Sequence, residues 1–289
     1  MFDFWIILTG SLVAIPCALL GSFLMLRKMV MVGDAISHAV LPGIVISYLI
    51  IENLSSIWLI FGASLTGMLA TVLIEFFKKK ARLQNDASIG ITFTWLFALG
   101  VILITVFAGD VDLDLDCVLF GQIEYIALSK PITLLGVELF PTKIFALFLI
   151  ASVITLFIIL FFKELRITTF DAGFSASIGV SVAIWHYSIM GLVSFVSVAS
   201  FEAVGAILVV AFIAIPAATG YLLTQNLRKL LFLSSFFGVL AVVIGTLVAN
   251  LGSSISTSGA IVVSSGSLFA IVFILLRIIN IKKKQITLS

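Results

Sequence analysis

Charge is what this chain has least of. Only 10% of its 289 residues are Asp, Glu, Lys or Arg, where a soluble domain carries about 25%. With 62% of the residues apolar, a water-soluble globular fold is excluded. Cysteine is equally scarce. Cys17 and Cys117 stand far apart in unrelated contexts, which excludes a disulfide framework and a thiolate metal cluster. No Gly-x-x-x-x-Gly-Lys-Ser/Thr stretch occurs, so the chain cannot hydrolyse ATP through a phosphate loop. A His-Glu-x-x-His site, an arginine-rich voltage sensor and a potassium-filter sequence are also missing. Tandem repeats and low-complexity segments are absent. The net charge of +2 implies no nucleic-acid partner, because the basic residues sit at the ends of apolar runs.

Those runs are what the chain does have. A helix needs about 20 mostly apolar residues to cross a bilayer. Hydropathy gives spans near 5–26, 34–51, 57–77, 88–108, 143–162, 182–199, 203–224, 230–250 and 259–279. The sixth is short, holds His186 and nearly touches the seventh, so the count is eight or nine. The expected fold is all-α and polytopic, a single transmembrane domain over 1–289. Fourteen of the sixteen Lys and Arg residues fall on one side of such an arrangement, with only Lys130 and Lys143 on the other. The positive-inside rule then puts the N-terminus outside and the C-terminus in the cytoplasm. The first span carries Asp3 rather than a basic leader, and its cations follow the apolar run. It reads as a retained span, not a cleaved signal.

Few residues can carry chemistry in such a chain. Asp34 and His38 open the second span, four apart and therefore on one helical face. A carboxylate and an imidazole so placed suit zinc, manganese or iron. The blander reading is that Asp34 caps the helix and His38 bonds a neighbouring span. Ionisable groups at membrane depth are costly, which favours function. Pro42 is expected to kink the helix just beyond the pair. Glu202 is read as starting the seventh span, where it complements the helix dipole or faces the outer mouth of a cation path. Pro216 with Gly220 marks a candidate gating bend. The run Asp110, Asp112, Asp114, Asp116 is not a calcium loop, because Leu115 and Gly121 stand where glycine and glutamate are required. It gathers cations at the outer face or is a solvated loop. Glu75 and Glu164 are read as solvated, and His186 as making a structural hydrogen bond.

Between the fifth and sixth spans lies an interfacial stretch, about 163–180. It is expected to be helical for about four turns and capped by Thr169 or Asp171. Ala172, Ala176 and Gly179 would then share one face, with Gly173 beside them. Read alone, it is a docking strip for another protein or an ordinary amphipathic helix.

Together these stretches resemble the permease subunits of ATP-binding-cassette importers for zinc, manganese or iron. The resemblance rests on Gly33-Asp34 through His38 to Pro42-Gly43, on Asp171 to Gly179, and on Glu202 to Gly205 through Pro216. Leu119-Phe120-Gly121 also matches. It implies a path between two copies of the chain, with Asp34 and His38 as the metal-coordinating pair. It implies that Asp171 to Gly179 couple to two copies of a separate ATP-binding subunit. A metal-binding protein or lipoprotein would deliver the ion from outside the cytoplasmic membrane of a prokaryote. No permanently bound cofactor is implied, and the transported ion is the only metal. An ion-coupled secondary transporter and a permease for metal chelates are the competing readings. The first would often show inverted repeats, which are not evident. The second needs no protein ligands to bare metal.

Overall fold

The structure is a computed structural model, and it describes residues 2–51, 57–107, 123, 131–134, 137–251 and 256–286. Lipid offers the backbone no hydrogen bonds, so a spanning segment must satisfy its own polar groups as a helix. The order is α1 (Phe2–Leu26), α2 (Met31–Ala39), α3 (Leu41–Ile51), α4 (Ile57–Lys80) and α5 (Asn85–Phe107). Strands β1 (Pro131–Leu134) and β2 (Val137–Pro141) follow. Then come α6 (Thr142–Leu160), α7 (Phe162–Phe170), α8 (Ala172–Ser177), α9 (Val182–Val204), α10 (Ala206–Leu223), α11 (Leu227–Ala249) and α12 (Thr257–Ile286). Among the described residues, nine helical segments are long and apolar enough to cross a membrane, α2 and α3 counting together. The strands form one antiparallel hairpin, pairing Leu134 with Val137 and Thr133 with Glu138. It is the sole departure from an all-helical chain among these residues. The acidic run 110–116 and Leu119-Phe120-Gly121 lie outside the described residues.

Hydroxyls are hidden in the apolar helices by bonding backward to the carbonyl four residues earlier. Ser22, Ser37, Thr71, Thr92 and Thr246 all do so at 2.8–3.1 Å. The core forms where α1 packs against α10 and α11. Phe23, Leu20, Leu24, Phe212 and Leu208 are fully buried there. Small residues set the approach. A Cβ added at Gly21 would collide with the carbonyl oxygen of Ile213, and one at Gly245 with the backbone of Ile261. A second group, α2 to α5 with α9, packs around Ile36, Ala63 and Val193, and α9 contacts α1 and joins the two groups.

Two sequence expectations need correcting. The sixth span does not end near 199. It runs to Val204, and Gly205 at φ +82° separates it from α10. Glu202 therefore lies in the last turn of α9 rather than at the start of the next helix. The stretch 163–180 is also not one helix. It divides at Asp171 into α7 and α8, and α8 ends before Gly179, which has φ +81°.

Candidate functional site

The second span is broken immediately after the candidate pair. Helix α2 stops at Ala39, Val40 is a turn, and α3 begins at Leu41. Pro42 has no N–H, so the carbonyl of His38 lacks the donor a continuous helix would give it. Helix α2 is fixed by its buried residues Val32, Ala35, Ile36 and Ala39. A Cβ at Gly33 would sit 3.3 Å from Ile213 of α10, so α2 lies close on that helix. Asp34 and His38 face the other way and are only half-buried, at 44% and 37% side-chain exposure. The His38 ring packs against Phe93 and Phe97 of α5, with ring centroids 5.9 and 6.1 Å away.

His38 Nε2 and Asp34 Oδ1 are 3.7 Å apart. That is too long for a hydrogen bond. It suits two ligands of one ion. Donors each about 2.1 Å from a metal stand about 3.4 Å apart at the tetrahedral angle and about 3.7 Å apart when that angle opens to about 124°. Among the described residues no group of three or more His, Cys, Asp or Glu side chains gathers anywhere. The described residues of one copy thus offer two ligands here on a half-open face, where a structural site needs four.

Asp171 caps α8, accepting a hydrogen bond from the N–H of Phe174 at 2.8 Å. Of its neighbours only Ser175 is buried, and its hydroxyl bonds the carbonyl of Val180 at 2.9 Å. Asp171, Ala172, Gly173, Ala176 and Gly179 are all exposed, with Phe170 and Phe174 beside them. The one-face strip is cut short, because Gly179 lies past the end of the helix. Pro216 sits inside α10 without breaking it. Gly220 marks a close approach to α11, where an added Cβ would meet the Ser234 hydroxyl at 2.6 Å.

The sequence reading missed a polar cluster that joins three helices and the turn after α1 at the end where the basic residues gather. Glu75 is not solvated. Its side chain is 15% exposed. It accepts a hydrogen bond from the Tyr187 hydroxyl at 2.8 Å and pairs with Lys79 at 2.8 Å. His186 Nε2 lies 2.9 Å from its other oxygen, without the alignment of a hydrogen bond. On the other side of that ring, Arg27 Nη1 is 3.5 Å from His186 Nδ1. A guanidinium only donates, so Nδ1 accepts, and the neutral ring carries its proton on Nε2 towards Glu75. Arg27 also donates to the Thr168 and Thr169 hydroxyls at 3.2–3.3 Å. Burial pulls this guanidinium down to about 10, still protonated at neutral pH. Glu164 is half-buried as well, with one carboxylate oxygen enclosed and unpartnered. The only sequence signals for this cluster were ionisable residues at span ends.

Known proteins resemble most of the chain. The family model described as the ABC 3 transport family matches residues 1–276. The manganese transport system membrane protein MntD of Bacillus subtilis (strain 168) is 42% identical over 247 residues, 84% of this chain and 82% of that protein. The zinc transport system membrane protein TroD of Treponema pallidum (strain Nichols) is 37% identical over 211 residues, 73% of this chain and 57% of that protein. Among solved structures, PsaBC from Streptococcus pneumoniae in complex with Fab matches with a TM-score of 0.76 at 35% identity. That match covers 93% of this chain and 89% of the other.

Proposed function

The chain belongs to the ABC 3 transport family, and we propose that it is the membrane permease of an ATP-driven importer for divalent manganese or zinc. Two copies form the path, each contributing Asp34 and His38. The observation that carries this reading is the half-open ligand pair: two donors 3.7 Å apart on one helical face. A second copy related by two-fold symmetry doubles the set to four and covers a carboxylate that lipid would leave unsolvated. The Val40 break and Pro42 support it by leaving the carbonyl of His38 without a helical donor. Weak coordination lets the ion leave, as conduction requires.

Energy comes from elsewhere. A separate ATP-binding subunit, two copies per assembly, docks on the exposed segment Asp171 to Gly179 at the cytoplasmic face. An extracytoplasmic metal-binding protein or lipoprotein delivers the ion to the opposite face, near the end of α9 that holds Glu202. Residues 1–289 act as one permease domain in the cell membrane of a prokaryote, with the C-terminus inside. Arg27 links the two working parts. It follows α1, precedes the first residue of α2 by four positions, and holds Thr168 and Thr169 just ahead of the docking segment. A shift of α7 therefore reaches the start of the helix that carries Asp34.

The test is metal accumulation in cells that depend on this chain. Asp34→Ala with His38→Ala should abolish manganese and zinc uptake while membrane insertion and binding of the ATP-binding subunit persist. Normal accumulation by that double variant would overturn the assignment.

A further inference from the structure

The basic end of the molecule holds a cleft of about 1060 Å³, separate from the Asp34/His38 pair. Helix α7, the residues around Asp171 and the start of α11 enclose it. Three cations line it: Lys163, Arg166 and Arg228. Among the described residues neither Lys163 nor Arg166 forms an ion pair. Arg228 lies over the Phe162 ring at 5.4 Å. Asp171 is the one carboxylate on the rim, and its Oδ1 is engaged by the Phe174 N–H. The cleft therefore carries a net positive charge, three cations against one carboxylate, beside aromatic rings.

A second cleft of about 470 Å³ runs on from it between α1, α6 and α11. It shares Phe162 and Arg228 with the first. Its walls are apolar, including Ile15, Leu19, Ile158, Ile159, Leu231 and Phe232. All three helices are among the nine of membrane-spanning length, so this groove lies at membrane depth.

We propose that the two clefts together are a binding site for an anionic phospholipid. Lys163, Arg166 and Arg228 hold the phosphate, and an acyl chain lies in the groove between α1, α6 and α11. Charge and shape both argue for this occupant. Guanidinium groups match phosphate geometry, and basic pockets beside membrane helices hold lipid head groups in this way. A soluble phosphate would use the cationic cleft and leave the apolar groove without a role. The cation–π contact at the junction keeps Arg228 pointed at the boundary between the two environments. The site uses neither Asp34 nor His38, but its rim at Asp171 and Phe174 borders the segment proposed to dock the ATP-binding subunit, so the experiment must tell a lipid from that partner.

The experiment measures lipid retained by the purified full-length chain, using native mass spectrometry from detergent. The probes are phosphatidylglycerol, phosphatidylcholine with the same acyl chains, and glycerol 3-phosphate. Phosphatidylglycerol should be retained in preference to phosphatidylcholine, and glycerol 3-phosphate should not displace it. Each cation removed should weaken retention about fivefold, so Lys163→Gln, Arg166→Gln and Arg228→Gln together give a loss of roughly a hundredfold. Ser235→Trp, which fills the groove, should lower retention with the cations intact. If the triple variant misfolds, Arg166→Gln alone carries the test at its fivefold effect. Equal retention of the two phospholipids overturns the proposal. So does displacement by glycerol 3-phosphate, which would make the cleft a free-phosphate site. Unchanged lipid retention in variants that lose binding of an ATP-binding subunit would make the surface a protein interface and equally refute it.

Discussion

Replacing Glu75 with alanine is expected to destabilise the helical bundle by about 3 kcal/mol, and the geometry says which partner supplies the energy. The most obvious ion pair contributes least. Lys79 sits one helical turn away at 2.8 Å, but its side chain is 70% exposed, and such i,i+4 pairs are worth about 0.3–0.5 kcal/mol. Tyr187 donates a 2.8 Å bond to a carboxylate that is only 15% exposed, and a bond of that kind is worth about 2 kcal/mol. His186 adds about 1 kcal/mol, since its 2.9 Å approach lacks hydrogen-bond alignment. Both of these partners sit on α9, so the loss falls on the α4–α9 packing. Glu75→Gln keeps an acceptor for Tyr187 and should cost about half as much. The assay is denaturant unfolding in mixed micelles, followed by the fluorescence of Trp185 beside His186. Lys79→Ala should cost less than about 0.5 kcal/mol. The reasoning fails if Lys79→Ala costs as much as Glu75→Ala, or if Glu75→Ala costs under about 1 kcal/mol.

Further expectations follow from the backbone and from the cap. Gly205 has φ +82° and ψ 157°, a region that only glycine occupies readily. Gly205→Ala should therefore cost about 1–3 kcal/mol in the same unfolding assay. At Gly21 a Cβ would strike the Ile213 carbonyl, so Gly21→Ala should force α1 from α10 and cost about 1–3 kcal/mol. A neutral result at Gly21 would show that the two helices separate freely. Asp171→Ala removes the cap of α8, worth about 1 kcal/mol. It should lower metal uptake while manganese binding to the purified chain is unchanged.

What could be read from sequence was what depends on neighbours in sequence. The spans follow from composition within about 20 residues. Asp34 and His38 were found together because four residues make one helical turn, a spacing that survives any packing of the rest. Where the reading failed, the cause was a glycine. Gly205 and Gly179 both adopt positive φ. One moved Glu202 from a presumed helix start to a helix end. The other removed the last residue of the supposed docking strip. Neither conformation is visible in hydropathy, because glycine contributes no side chain to the pattern and is equally at home in a helix–helix crossing such as Gly21.

The Glu75 cluster escaped for a different reason. Arg27 meets Thr169 across 142 residues, Tyr187 meets Glu75 across 112, and Arg27 meets His186 across 159. No local periodicity encodes such pairings. The sequence held one clue to them, carried by energetics rather than by spacing. Buried ionisable groups in a membrane protein must find partners or remain neutral, and Arg27, Glu75 and His186 all stand at the ends of apolar spans. The positive-inside rule accounts for Arg27 as one more cation at the basic end. It does not account for a guanidinium half-buried between α7 and α9 while Lys28 beside it stays at the surface. A cation used only as an anchor would lie in water, so the burial of Arg27 separates a structural role from simple orientation.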